Sequence, residues 1–109
     1  MNNTDFDKIV QDTITSITTV LTSKAKEYAD DTDRLHNFKV AARMGNVTPE
    51  IALKMFKLKH EVSVDDMICN TVNNIPTPIS KELIDEKIGD IINYNILLKA
   101  LLYERYNLK

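Results

Sequence analysis

The sequence predicts an all-α protein, a compact antiparallel bundle of four to five helices that forms one domain over residues 1–109. A chain of 109 residues is long enough for one domain and too short for two. It contains only two glycines and three prolines, so turns are few and the elements between them are long. Apolar residues recur at spacings of three and four, which is the period of a helix rather than of a strand.

The first helix is expected over about residues 4–28. Thr4 is a suitable N-cap, and Asp5 and Asp7 suit the positive end of the helix dipole. The threonines that follow are poor helix formers, so packing against other helices has to stabilise this segment. The apolar residues that predict the helix are Phe6, Ile9, Val10, Ile14, Ile17 and Leu21.

The second helix is expected after the turn DDTD at 30–33, with Asp33 as its N-cap and Gly45 as its left-handed end. Thr48 and Pro49 predict the start of the third helix, because proline is favoured at the first helical position after a cap. The apolar stripe predicted for the third helix consists of Ile51, Ala52, Met55, Phe56, Leu58 and Val62.

Two features decide how the second half of the chain divides. Ser63, with Asp66 three residues later, resembles a capping box, so the third helix is expected to break and restart there. The segment 73–79 contains two prolines and cannot be helical, so it connects two helices. Ser80 is then the predicted cap of the last helix, at about 80–106.

The last helix is apolar on nearly every side after Asp90. Such a helix runs through the centre of a bundle or into a subunit interface. Four short helices cannot cover all of its apolar side chains, so we expect a homo-oligomer, either a dimer or a tetramer. The side chains concerned are Leu97, Leu98, Leu101, Leu102, Tyr103 and Tyr106.

Composition argues against several classes of partner. The net charge is −2 and the pI is about 5.6, so there is no basic face for a DNA or RNA duplex. The single Cys69 excludes an internal disulfide and fits a reducing compartment. The N-terminus is acidic, unlike a signal peptide, and no apolar run is long enough for a membrane span. We therefore expect a cytoplasmic protein without a membrane partner.

Polar side chains on the last helix are the first candidates for chemistry. Glu82, Glu86, Asp90 and Asn93 are separated by four, four and three residues, so they share one face. Asp90 lies among apolar residues, and a buried carboxylate needs a cation, a metal or several hydrogen-bond donors. Its position therefore indicates a functional or structurally paired role.

The third helix offers two further carboxylates, Glu61 and Asp65, one turn apart. If they face the last helix, four oxygen ligands come together, a set that favours magnesium or manganese. A magnesium ion held there could activate water, with Glu61, Glu86 and Asp90 as the catalytic residues. The alternative is a solvated face with simple salt bridges to lysines. The four predicted metal ligands are Glu61, Asp65, Glu86 and Asp90.

Several short motifs, taken in order, resemble small phage-encoded domains related to the MazG-like, all-α nucleoside triphosphate pyrophosphohydrolases. The resemblance covers about residues 24–102 and includes the Thr48-Pro49-Glu50 helix start and the segments "LKMFKLKH" and "EKIGDIINYNILL". A tyrosine-containing turn, an Asn-Phe pair, a late lysine and an Asp-x-x-x-Tyr pair recur in those domains. The matching positions here are Tyr28, Asn37, Phe38, Lys59, Asp90 and Tyr94.

The resemblance implies an obligate oligomer of helical bundles that binds a nucleotide between helices. In the catalytic members, a Glu-x-x-Glu and a Glu-x-x-Asp pair hold magnesium, and water attacks between the α and β phosphates. This sequence departs from that pattern, because Lys87 lies three residues before Asp90 and Glu86 lies four before it. Glu61-x-x-x-Asp65 is the nearest substitute for the first pair.

Three functional hypotheses follow. The first is a magnesium-dependent nucleoside triphosphate pyrophosphohydrolase, in which Lys59 faces phosphate and Tyr28 or Asn37 contacts the base. The second is a non-catalytic phage protein that binds and sequesters a signalling nucleotide, using Lys59, Asn93 and Tyr94 as donors and Asp90 as an acceptor. The third is a helical interaction module, in which Asp90 and Asn93 fix the register of packed helices. The nucleotide-binding residues predicted are Tyr28, Asn37, Lys59, Asn93 and Tyr94.

Overall fold

The computed structural model describes the backbone of residues 1–28, 33–74 and 78–109, and the side chains of these residues except 24–28. The described residues form α1 (Asn3–Tyr28), α2 (His36–Gly45), α3 (Pro49–Val72) and α4 (Lys81–Arg105). The prediction of an all-α bundle is thereby confirmed. Of the helices in these ranges, none combines the length and hydropathy that a membrane-spanning segment needs.

Two predicted helix starts are confirmed by their hydrogen bonds. The Thr48 Oγ1 atom accepts from the backbone N–H of Ile51 at 3.3 Å, and Pro49 follows as the first helical residue. Ser80 caps α4 in the same way, because its Oγ accepts from the N–H of Leu83 at 3.1 Å. Both caps satisfy backbone donors that have no partner inside the helix.

Two other predicted caps are wrong. At α1, the Oδ1 atom of Asn2 accepts from the Asp5 N–H at 2.8 Å, and Thr4 already lies inside the helix. At α2, Asp33 accepts from the N–H of Leu35 at 2.9 Å, which forms a turn before the helix begins. Asn, Asp and Thr side chains all carry an oxygen that can accept from a nearby backbone N–H, so the local backbone path selects which of them caps.

Two predictions about helix ends also need correction. α2 ends at Gly45, but the left-handed residue is Asn46, with φ of 54°, a conformation that Asn tolerates better than most residues. α3 does not break at Ser63, whose Oγ donates to the Lys59 carbonyl oxygen at 3.1 Å. The serine hydroxyl is therefore satisfied within a continuous helix and does not cap a new one.

α3 packs against α2 and against α4, and it runs antiparallel to α4. The rings of Phe38 in α2 and Phe56 in α3 meet edge to face at 6.2 Å. Between α3 and α4, residue numbers rise along one helix while they fall along the other. The pairs that show this are Glu50 with Arg105, Lys57 with Asn95, and His60 with Asp90.

α1 lies beside α4 and runs in the same direction. The pKa of Asp12 is lowered chiefly by its hydrogen bond from Lys8, and to a smaller extent by the charge of Lys81 at the start of α4. Leu21, further along α1, lines a hollow together with Ile96 in the second half of α4. The first turns of α1 therefore extend past the beginning of α4.

The core is small and is centred where α2, α3 and α4 meet. Leu53 is fully buried in it, although Leu53 is absent from the stripe predicted for α3. Apolar residues occur on every side of α3, so its sequence does not indicate which side packs inward. The radius of gyration is 16.3 Å, above the roughly 13 Å typical of a domain this long. The buried apolar residues are Leu35, Phe38, Ala42, Ala52, Leu53 and Leu101.

Many predicted core residues are exposed instead. In α3 these are Ile51, Met55, Phe56, Leu58 and Val62, and in α1 they are Phe6, Ile9, Val10 and Ile14. On α4, Leu101 is buried and Leu97 and Leu98 pack against the core of the same chain. Only part of the apolar surface from which an oligomer was predicted is therefore open, namely that of Leu102, Tyr103 and Tyr106.

An ion pair ties the start of α3 to the end of α4, and it predicts a pH dependence. The Nε and Nη2 atoms of Arg105 donate to the two carboxylate oxygens of Glu50 at 2.5 and 2.8 Å. This hydrogen bonding is the main reason that the pKa of Glu50 lies below its ordinary value. A lowered carboxyl pKa stabilises the fold above the pKa of the unfolded chain, and this contribution is lost as the pH falls through the folded value.

We expect the free energy of unfolding of the Glu50→Gln variant to fall less steeply than that of the unmodified protein on acidification below about pH 4.5. Urea unfolding at several pH values between about 3 and 7 measures the difference. Glu82→Gln is the control, because Glu82 is an exposed carboxylate in the first turn of α4. Equal slopes for Glu50→Gln and the unmodified protein would contradict the assignment.

Candidate functional site

Four side chains form a polar cluster between α3 and α4, called here the α3–α4 cluster: His60, Asp90, Asn93 and Tyr94. The Nδ1 atom of His60 lies 3.3 Å from Oδ2 of Asp90. The two side chains are only 15% and 22% exposed. Asp90 is therefore largely withdrawn from water, as its apolar neighbours in the sequence predict, and its partner is a histidine rather than a lysine.

Tyr94 connects this cluster to the core. Its ring lies 5.3 Å from the His60 ring and 6.4 Å from the Phe38 ring, centre to centre. Burial raises the pKa of the Tyr94 hydroxyl, and the negative charge of Asp90 raises it further. Tyr94 is consequently a neutral group with a polar O–H at the edge of an aromatic cluster.

Two buried polar atoms in the cluster have no hydrogen-bond partner among the described residues. One is Oδ1 of Asn93, and the other is Nδ1 of His60. The distance from His60 to Asp90 is that of an ion pair, but its direction is not that of a hydrogen bond. A buried polar atom without a partner costs about 1–3 kcal/mol, so each of these two atoms needs an explanation.

Burial increases along the polar face of α4. Glu82 and Glu86 are exposed, Asp90 is partly buried, and Asn93 is buried. Within the described ranges, Glu86 makes no ion pair or hydrogen bond. The face predicted from the spacing is therefore real, but it runs from solvent into the interior and does not form one continuous acidic patch.

The carboxylates of α3 have other partners. Glu61 pairs with Lys57 at 3.2 Å, and Lys57 also donates to Oδ1 of Asn95 at 3.0 Å. Asp65 accepts a weak hydrogen bond from the Cys69 thiol at 3.8 Å, and its charge is the main cause that raises the pKa of that thiol.

The predicted magnesium ligands are not assembled within one chain. In the part of the protein that the structure describes, no three side chains of His, Cys, Asp or Glu are grouped so that they could hold a metal ion. Glu61, Asp65, Glu86 and Asp90 are accordingly not grouped there as the ligands of one ion. Magnesium binding stays a prediction.

The structure brings together three of the residues predicted to contact a nucleotide or a metal: Asp90, Asn93 and Tyr94. Asn37 in α2 and Lys59 in α3 are exposed, unlike these three residues of α4. The side chain of Tyr28 lies outside the described residues.

His60 and Lys57 contribute to the contact between α3 and α4 but are absent from the predicted site residues. Lys57, His60 and Glu61 are spaced by three and four, so they share the side of α3 that meets α4. That spacing shows that the three residues share a side of α3, but it does not show that this side meets α4.

A separate hollow of about 330 Å³ lies between α1 and α4. Its floor is apolar, and Arg34 on its rim donates to the Leu21 carbonyl oxygen at 2.7 Å. Lys39 spans two acidic rim residues, Asp33 at 2.6 Å and Glu104 at 2.5 Å. None of the predicted site residues whose side chains are described lines this hollow.

Comparisons with protein-family models, with curated proteins and with solved structures give no match to this chain.

Proposed function

We propose that this protein binds a nucleotide at the α3–α4 cluster. The observation that carries the proposal is the pair of buried atoms without partners, Oδ1 of Asn93 and Nδ1 of His60, beside a carboxylate that is mostly withdrawn from water. A nucleobase edge carries both donors and acceptors, so it is a suitable partner for either atom. The ribose hydroxyls are suitable donors to the Asp90 carboxylate.

The geometry favours capture over a simple surface contact. Both unpaired atoms are buried, so a ligand reaches them only when the side chains around them move. The Tyr94 ring, which lies against the His60 ring, then offers a flat face for stacking on a base. A non-catalytic protein that sequesters a signalling nucleotide needs only these contacts.

A melting screen against common and cyclic nucleotides, with and without magnesium, tests binding. A ligand at a hundred times its Kd adds about 2.7 kcal/mol to the free energy of unfolding, which such a screen detects. We expect stabilisation that does not require magnesium and that is lost in Asp90→Asn. Asp85→Asn is the matched control, because Asp85 is an exposed acid on the same helix whose partner is Lys81. No stabilisation by any nucleotide would refute the proposal.

Magnesium-dependent hydrolysis, as in the MazG-like pyrophosphohydrolases, is the second candidate. It is favoured by Glu86, which lies one turn before Asp90 on α4 and has no partner within the described ranges. An exposed carboxylate one turn from a partly buried one supplies two oxygen ligands for magnesium, and Glu61 and Asp65 would have to leave their partners Lys57 and Cys69 to complete the site. This candidate predicts magnesium-dependent release of pyrophosphate from a nucleoside triphosphate, abolished in Asp90→Ala. Nucleotide binding without pyrophosphate release leaves sequestration as the function.

A further inference from the structure

One end of the bundle is built from three helices, because α2 does not reach it. α2 begins two residues before Phe38, which meets Phe56 in the first third of α3. Beyond the contact between His60 and Asp90, the second half of α3 therefore lies beside the first turns of α4 without α2. α1 runs parallel to α4, so its first half belongs to the same end. This end, called here the open end, consists of residues 1–15, 61–72 and 78–89.

The open end exposes apolar side chains along the line where α3 and α4 pack together. Around α4, Asp90 faces α3, Ile96 faces α1, and Ile84 lies about 120° from both of them. Ile84 is exposed, so neither of the two neighbouring helices covers its side of α4. Around α3, Ile68 lies within about a quarter turn of His60, which faces α4. Ile68 and Ile84 therefore border the same groove between the two helices.

The apolar residues of this groove also lie at the same level of the bundle. α3 and α4 run antiparallel, so each step from His60 toward the end of α3 corresponds to a step from Asp90 toward the start of α4. This register brings Ile68 within about one turn of Ile84, and it brings the end of α3 beside the residues that precede α4. The exposed apolar residues of the groove, called here the end patch, are Ile68, Val72, Ile79, Ile84 and Ile88.

The open end is acidic, whereas the rest of the chain is basic. Its three segments contain nine carboxylate side chains and three lysines, which gives a charge of −6. The whole chain has a net charge of −2, so the remaining residues carry +4. Two of the lysines, Lys8 and Lys81, pair with carboxylates of the same end. Five acids of the open end are exposed and make no ion pair within the described ranges: Asp5, Asp7, Asp66, Glu82 and Glu86.

We propose that the end patch binds a basic amphipathic helix of a different protein. The apolar residues of such a helix, spaced by three and four, pack in the groove between α3 and α4, and its lysine and arginine side chains lie near the surrounding carboxylates. The segment 61–72 of α3 is about 18 Å long, so a partner helix of about 12 residues matches it. This contact needs no nucleotide.

The charge of the open end disfavours two other occupants. A two-fold contact between copies of this chain through the open end would place a charge of −6 against a charge of −6. An anionic lipid surface would be repelled for the same reason, because such surfaces attract basic segments. A basic helix meets both requirements of the surface, since it covers the apolar side chains and compensates the carboxylates.

Fluorescence anisotropy with labelled helical peptides of about 14 residues tests this proposal. The probe peptide has leucine at spacings of three and four and lysine at the other positions. One control peptide has glutamate in place of every lysine, and a second control peptide distributes the same leucines and lysines over all sides of the helix. We expect the probe to bind about tenfold more tightly than either control, because only the probe combines an apolar side with positive charge.

Ile84→Ser removes part of the end patch, and Ile51→Ser is its matched control. The two isoleucines are 43% and 44% exposed, but Ile51 lies in the first turn of α3, at the opposite end of the bundle. We expect Ile84→Ser to weaken binding of the probe about tenfold and Ile51→Ser to change it less than about twofold. Ile68→Ser is a second variant of the end patch, in case circular dichroism shows that Ile84→Ser does not fold.

Three results overturn the proposal: no binding of the probe at about 100 µM protein, equal binding of all three peptides, or equal weakening by Ile84→Ser and Ile51→Ser. Sedimentation of the protein alone and with phosphatidylcholine vesicles tests the other occupants. Self-association or vesicle binding that is lost in Ile84→Ser and retained in Ile51→Ser would assign the end patch to a second copy or to lipid, and would also overturn it.

Discussion

Replacing Leu53 by alanine is expected to lower the free energy of unfolding by about 2–5 kcal/mol. Leu53 has no exposed surface and packs in the cluster formed with Leu35, Phe38 and Leu101. Truncation removes apolar contacts and leaves a cavity, because the neighbouring helices relax only in part. Few of the described residues are buried, so the loss of the Leu53 side chain removes a large part of the core. Urea unfolding at one fixed protein concentration measures the change.

Leu58→Ala is the matched control for this prediction. Leu58 is the same residue type on the same helix, but nearly half of its surface is exposed. A surface truncation of this kind changes the free energy of unfolding by about 0.5 kcal/mol or less. If both variants lose equal stability, the side of α3 that faces the core has been wrongly assigned.

Replacing Asn93 by leucine is expected to abolish stabilisation by nucleotide while leaving the free protein at least as stable. Oδ1 of Asn93 is buried without a partner, so an apolar side chain of similar size removes a polar group that is already unsatisfied. The ligand-dependent gain, about 2.7 kcal/mol at a hundred times the Kd, should disappear. Melting curves with and without the nucleotide that stabilises the unmodified protein measure both effects.

Asn95→Leu is the control, since Asn95 is an exposed amide two residues later whose Oδ1 already accepts from Lys57. It should retain the nucleotide response. Strong destabilisation of the free protein by Asn93→Leu, with no nucleotide response in the unmodified chain, would instead support the helical interaction module. In that case Asn93 fixes the register of packed helices and binds no ligand.

The helix starts show how far local sequence can be used for prediction. Thr48 and Ser80 are caps because each has an extended backbone directly before a helical run, and Pro49 also suits the first helical position after Thr48. Thr4, Asp33 and Ser63 have the same local chemistry but do not cap. A side-chain oxygen can accept from several nearby donors, so the path of the backbone decides between them.

The candidate site was predicted in part. Asp90, Asn93 and Tyr94 share a helix, so their common side follows from the helical period alone. Their partner on α3 could not be identified in this way, because it depends on how the two helices rotate against each other. His60 proved to lie against Asp90, whereas Lys59, one residue earlier, is exposed.

The sequence by itself determined the all-α architecture, the number of main helices and most of their bounds. The scarcity of glycine and proline, the helical spacing of apolar residues and the two strong caps are local signals, because each of them acts over only a few neighbouring residues. The tertiary structure decided which side of each helix is buried, the direction of α1 beside α4, and the pairing of His60 with Asp90. These depend on contacts between distant residues, and α3 and α4 carry apolar side chains on so many sides that no single orientation follows from their sequence.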